Sequence, residues 1–478
     1  MDTDYSELDA TGLAALVRAG EASPAELVDE AIARIEKLNP QVNAVIHERF
    51  DEARGEAASV PDGPFKGVPI VIKDLDGYSA GDPFHAGMKF LKELGWTSDH
   101  DSHVFAKLRG AGFLFVGKTN CPELGLLPST EPEAYGPTRN PWNLERSPGG
   151  SSGGTAAAVA SRMVPLGHGG DGGGSIRIPA STCGLVGLKS SRGRISLGPD
   201  KGDSWSGLVV YGGITRTVRD AAAFLDVVSG PMPGDPYAAP APVRPFAEEV
   251  GTDPGRLRIG WSKDAPGGLA QTHPECEAAV DHALSLLESL GHAVEDARPE
   301  TPGEDEVTQA AINVIAANIA RSLDYWSERT GERIGPDDVE FHTWTFAEFS
   351  KSVSASQYLA SLEQLQTVTR ASATWWADGY DLLVTPTIPE PPWTFGSFTS
   401  TPENPLQGTV RSGQIVPFVA PLNLTGQPGI SLPLHWSEDG LPIGVQLVAA
   451  YGREDLLIRI ASQLEDAQPW ANRRPPVS

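Results

Sequence analysis

The chain has 478 residues, of which 40% are hydrophobic, enough for a large core and too many for wholesale disorder. Its 62 acidic residues outnumber 37 basic ones, for a net charge of −25; this argues against nucleic acid and anionic membranes as partners, because phosphate binding needs clustered positive charge. Three cysteines, Cys121, Cys183 and Cys276, offer neither a disulfide framework nor a CxxC pair, which fits a reducing compartment.

The opening residues, Met1 to Tyr5, are acidic and lack the basic and apolar regions of a signal peptide. No apolar run approaches the ~18 residues of a membrane span. A soluble, cytoplasmic protein is expected. Ser23-Pro24-Ala25-Glu26 reads as an N-cap, a proline at the first helical position and a capping-box glutamate. Leu27, Ala31, Ile32, Ile35 and Leu38 follow at helical spacing, and Asn39-Pro40 is expected to end the helix. Residues 1–60 thus form a helical lead-in.

Gly67 to Ile72 is a short apolar run that reads as a buried strand ending at Lys73-Asp74. Ala111 to Gly117 reads as a second. From Pro141 to Leu197 glycine becomes dense, and Thr155 to Ala160 forms a small-residue helix. Glycine at this density lets backbone N–H groups approach a ligand. Residues 231–255, rich in Pro and Gly, read as an extended surface connection. Strands at 257–261, 382–384 and 442–448, helices at 275–291 and 454–465, and a mostly helical stretch over 305–378 complete the chain. Alternating strands and helices favour an α/β fold.

Two motif matches fail on context. Gly112 to Thr119 fits GxxxxGK[ST], but its middle residues are apolar and strand-like and Pro122 stands where the helix would run, so Lys118 reads as a strand-end lysine. Gly149 to Gly153 fits GxSxG, but a polar loop precedes it where a nucleophile elbow needs a strand, and His435 has no evident partner. His100 and His103 read as a solvated loop pair rather than metal ligands.

The informative pattern is the order of three segments: Gly67-Val68-Pro69-Ile70-Val71-Ile72-Lys73-Asp74, then Gly149-Gly150-Ser151-Ser152-Gly153-Gly154, then Asp171-Gly172-Gly173-Gly174-Ser175-Ile176-Arg177. Together they resemble the amidase signature family, with its Lys–Ser–Ser triad. Segments 131–144, 179–189, 423–428 and 444–446 extend the likeness over almost the whole chain. A serine hydroxyl needs an adjacent base, and a lysine serves only when neutral, a state that burial favours.

The resemblance implies Ser175 as nucleophile, and Ser151, with a cis peptide bond before it, and Lys73 as proton relay. Gly172, Gly173 and Gly174 would line an oxyanion hole, and Asp171 and Arg177 would brace the loop. It further implies one α/β/α domain over 1–478, a large mixed twisted sheet covered by helices on both faces. Within it, 61–230 would be the catalytic core and 300–375 a variable helical wall of the pocket. The expected reaction is hydrolysis of a small neutral or apolar amide through an acyl-enzyme, with an oligoamide, aryl amide or carbamate as candidates. No metal or organic cofactor, nucleic acid or membrane is implied; a homodimer is. The alternatives are the glutaminase subunit of a tRNA-dependent amidotransferase, which needs partner subunits, and a non-catalytic family member. The Trp and Tyr residues of 325–381 and Trp393 read as core more readily than as pocket wall.

Overall fold

A computed structural model describes residues 4–300 and 304–478. Eleven strands form one sheet: β1 (Val45–Glu48), β2 (Pro69–Lys73), β3 (Leu114–Thr119), β4 (Leu166–Asp171), β5 (Val186–Lys189), β6 (Val210–Thr215), β7 (Arg258–Trp261), β8 (Ala293–Asp296), β9 (Leu382–Pro386), β10 (Gly429–Trp436) and β11 (Pro442–Ala449). Their spatial order is β1-β3-β2-β4-β6-β5-β10-β11-β9-β7-β8. β2 runs parallel to both β3 and β4, and β7 runs parallel to β8 and β9. The remaining pairs are antiparallel. The sheet is therefore mixed, and fifteen α-helices among the described residues accompany it, giving the expected α/β class.

The lead-in helix begins as its sequence demands, with Ser23 and Glu26 closing a capping box. It does not stop at Asn39-Pro40. It runs from Pro24 to Val42, with Asn43 in the left-handed region at φ 54°. Pro40 lies inside that span, so its missing N–H costs one helical bond, the one to the Glu36 carbonyl. The Asn39 side chain meanwhile accepts from the N–H groups of Ala44 and Val45 and fixes the exit.

β2 and β3 are buried along their whole lengths, as their unbroken apolar runs predict. β4 reads Leu-Gly-His-Gly-Gly-Asp and is equally buried. Its glycines let other elements come close. A Cβ on Gly167 would lie 2.5 Å from Thr155 Cγ2, and one on Gly169 would lie 2.9 Å from Ser152 Oγ. The helix Gly153–Ala160, built of small residues and wholly buried, occupies that space.

This packing positions the site. β2 and β4 are parallel neighbours, so the segments leaving their carboxyl ends emerge on the same edge of the sheet, the edge where open α/β sheets gather ligands. Lys73 closes β2, and Asp171 closes β4 just ahead of the glycine loop.

Candidate active site

Lys73 is only 1% exposed. Its Nζ lies 2.8 Å from Ser151 Oγ, joining two residues 78 positions apart. The Gly150–Ser151 peptide bond is cis, as the resemblance implies. Ser175 is half-buried and opens with Ser151 and Lys73 onto one cavity of about 250 Å³. The Ser175 carbonyl accepts from the Ser152 N–H at 3.2 Å, tying the two serine segments together.

The expectation of a buried amine is met, but the sequence reading missed the anion beside it. Asp76 Oδ2 lies 2.8 Å from Lys73 Nζ. The signal was present in Lys73-Asp74-Leu75-Asp76-Gly77: an Asp-Gly pair after a strand is a turn, and this turn folds the third residue back onto the strand end. Asp76 takes φ 65° there and Gly77 φ 147°, a left-handed conformation that aspartate tolerates better than most residues.

The glycine loop is held from below. Asp171 accepts from the N–H groups of Gly174 at 2.8 Å and Ile176 at 3.2 Å. Arg177 donates to both Asp171 oxygens and also to Gln446, Asn423 and the Val419 carbonyl. Burial would raise the Asp171 carboxyl, but the Arg177 guanidinium holds it well below the usual carboxylate range. Gly174 is thereby corrected: its N–H is engaged by Asp171 and is not free for a ligand. Among the described residues the N–H groups of Gly172, Gly173 and Ser175 have no acceptor. A Cβ on Gly173 would meet nothing within 4 Å, so its backbone borders open space.

Behind Lys73 lies a second cluster. The Asp74 carboxylate is fully buried, 2.7 Å from Lys118 Nζ, and accepts from the His85 N–H at 3.1 Å. Burial opposes its charge, yet Lys118 and His47 hold it down to about 2. Lys118 is the strand-end lysine expected, last but one in β3, and it is buried there against Asp74. His47, Asp74 and His85 bring ligand-type atoms within 4.8 Å of one another. However, Lys118 already neutralises Asp74, and Tyr135 Oη contacts both imidazoles. The set is a hydrogen-bonded cluster in which the buried His85 Nε2 finds no partner.

Other expectations shift. His100 bonds Asp99 and Asp200, each at 2.7 Å, and His103 bonds Ser196 at 3.0 Å, so neither is a freely solvated loop residue. His435 does have a partner, Glu275 at 3.3 Å. Trp375 and Trp393 are core, whereas Tyr325 and Trp326 line the catalytic-side cavity. Trp205 also lines it and separates it from a second cavity of about 250 Å³ walled by Leu126, Ala311, Ile315, Phe346, Val416 and Leu424. Trp205 and Ser206 both hold left-handed backbones, φ 50° and 57°. Ser206 bonds Tyr358 and Asn318, which anchors this partition to the helices Glu304–Thr330 and Ala355–Ala377.

Comparison with known proteins agrees with this architecture. The amidase family model matches residues 26–458. The 6-aminohexanoate-cyclic-dimer hydrolase of Paenarthrobacter ureafaciens is 45% identical over 474 residues, covering 98% of this chain and 96% of the relative. The solved structure of 6-aminohexanoate cyclic dimer hydrolase complexed with substrate superposes with a TM-score of 0.95, at 44% identity and 99% coverage of each chain. A bacterial aryl acylamidase of the amidase signature family gives 0.88 at 29% identity, covering 98% of this chain and 99% of its own.

The chain belongs to the amidase signature family. It is a hydrolase acting on amide bonds. No described helix is long and apolar enough to cross a membrane.

Proposed function

We propose that Ser175 is the nucleophile of this hydrolase and that Ser151 and Lys73 carry its proton. The observation that supports this reading is the 2.8 Å contact between Lys73 Nζ and Ser151 Oγ on the cavity that Ser175 also lines. Ser175 Oγ attacks the amide carbon while its proton passes to Ser151, whose own proton passes to Lys73. The N–H groups of Gly172, Gly173 and Ser175 receive the oxyanion; one such donor contributes ~3–4 kcal/mol in the transition state. Collapse breaks the C–N bond, and the proton returns through Ser151 to the leaving amine. Water then hydrolyses the Ser175 ester by the same path. No step calls on a cofactor.

The substrate is a small amide with one uncharged, apolar arm. The cavity beyond Trp205 is suited to that arm, since its wall is mostly hydrocarbon, with Thr308, His342, Thr409 and Ser412 the polar exceptions, and burial there is favourable by ~0.8 kcal/mol per methylene. The relative that acts on a 6-aminohexanoate cyclic dimer makes cyclic and linear aminohexanoate amides the first candidates, ahead of aryl amides and carbamates. The continuous sheet from β1 to β11 supports one catalytic unit. The three cysteines, buried and unbonded, favour a cytoplasmic setting.

A screen of a cyclic and a linear aminohexanoate amide, an anilide and a carbamate tests the substrate. Ser175→Ala tests the chemistry: turnover and covalent labelling by a fluorophosphonate should both vanish. Retained turnover would overturn the assignment.

A further inference from the structure

We propose that Asp76 is a positioning residue of the proton relay, its carboxylate stabilising the ammonium that forms on Lys73 when the nucleophile's proton arrives. The inference rests on the roles of Lys73, Ser151 and Ser175 proposed above.

The geometry around the amine carries it. Lys73 Nζ has two hydrogen-bond partners, Ser151 Oγ and Asp76 Oδ2, each at 2.8 Å. One side of the amine faces the hydroxyl that delivers a proton, and the other faces a fixed anion. The anion is built in. The turn at Asp76 and Gly77 aims it backwards, and β4 leaves room for it, since a Cβ on Gly170 would overlap the carboxylate. The Asp76 side chain is 13% exposed against 1% for Lys73, so the pair sits at the cavity wall with the amine behind.

Neighbouring groups leave this task to Asp76. Asp74 is adjacent in sequence but is paired with Lys118 and His47. From β4, His168 is fully buried, and burial brings it down to about 3, so it is neutral. From β6, burial pushes the Tyr211 phenol up, and burial does the same to the Cys121 thiol beyond β3. Lys201, on the loop that also lines the cavity, is the other cation facing Asp76: burial lowers its amine, and the Asp76 and Asp200 carboxylates oppose that.

The proton balance gives Asp76 a defined role. In the relay proposed above, Lys73 takes up the nucleophile's proton during attack and becomes an ammonium, which gives Asp76 an opposite charge to stabilise. The aspartate of a Ser-His-Asp triad acts on its imidazolium in the same way. Two effects follow with opposite signs. Asp76 speeds the step once the amine is free, and it makes the amine harder to free, since an opposite charge this close shifts such an equilibrium by about 1–3 pH units. Activity at a single pH mixes the two, whereas a pH profile separates them.

The test compares wild type, Asp76→Asn and Asp76→Glu on para-nitroacetanilide, or on whichever neutral amide of the screen is turned over, with kcat and kcat/KM followed across pH. In Asp76→Asn the acid limb should move down by about 1–3 pH units, the plateau kcat should fall about tenfold or more, and KM should hold within about twofold. Asp76→Glu should bring the limb back towards wild type. An unmoved acid limb in a folded Asp76→Asn, or a loss confined to KM, would overturn the proposal. If Asp76→Asn does not fold, Gly170→Ala decides, because its methyl group displaces the same carboxylate and should move the limb the same way; an unmoved limb there overturns the proposal too. Lys73→Ala and Ser175→Ala run alongside. Activity in either sinks the triad reading, whereas two inactive controls with an unmoved Asp76→Asn limb sink only the role of Asp76.

Discussion

Arg177 holds Asp171 through two hydrogen bonds, Nε to Oδ2 at 3.0 Å and Nη2 to Oδ1 at 2.8 Å, with neither side chain exposed. The same guanidinium reaches Gln446, Asn423 and the Val419 carbonyl, so one cation ties the glycine loop to β11 and to the helix Ala420–Thr425.

That arrangement requires a planar fork, which lysine lacks. Arg177→Lys keeps the charge and leaves several buried acceptors unpaired. Unfolding by denaturant should show a loss of about 1–3 kcal/mol for a buried acceptor left unpaired. A midpoint equal to wild type would mean that the loop is braced by something else.

The Lys118–Asp74 pair makes a related case on the other side of Lys73. Asp74 is held down to about 2 from an ordinary 3.8 because Lys118 and His47 outweigh its burial. A lowered carboxyl contributes stability above its unfolded value and loses it as pH falls through the folded one. Lys118→Met removes the principal cation and should cost about 3–5 kcal/mol at neutral pH. It should also flatten the acid side of the stability curve below about pH 4. Equal acid sensitivity in both proteins would contradict the pairing.

How much of this was legible follows from where each signal resides. That Lys73, Ser151 and Ser175 meet at one cavity is legible because three local motifs fall in a fixed order. The strands β2 and β3 could be read because an unbroken apolar run has few other fates. β4 could not, since Leu-Gly-His-Gly-Gly-Asp looks like a loop until the helix that needs its missing side chains lies against it. Lys118 is legible as a strand-end lysine, but its partner is not, because Asp74 arrives only when β2 and β3 pair. Gly174 was assigned to the oxyanion because glycine permits that role, while Asp171, three residues away, decides otherwise.

Trp205 divides two cavities of similar size, and Ala311 lies on the apolar side, part-buried against Leu208, Val307 and Val368. Ala311→Trp should fill that space. At ~0.8 kcal/mol per methylene, denying burial to two methylenes of an acyl arm is worth about a factor of ten. The ratio of kcat/KM for a hexanoyl anilide to that for an acetyl anilide should drop by about that factor. An unchanged ratio would place the acyl arm elsewhere.

Glu465 gives a pH prediction with a definite sign. Burial pushes its carboxyl up to about 7 from an ordinary 4.5; Asp9, Asp466 and Asp220 add repulsion, and the Val218 N–H opposes the rise. Between about pH 4.5 and about pH 7 the folded chain therefore holds a proton that the unfolded chain has released. Stability is thus fully present below the unfolded value and is lost as pH rises through the folded one. Glu465→Gln has no proton to lose and keeps an oxygen to accept from Val218. Its stability relative to wild type should improve by about 1–2 kcal/mol on going from about pH 5 to about pH 8, a figure discounted for partial exposure. Thermal unfolding of both proteins at the two pH values checks it. The same difference at both would show that Glu465 is ionised throughout, with Arg219, which already pairs with Asp9, offsetting the crowded carboxylates.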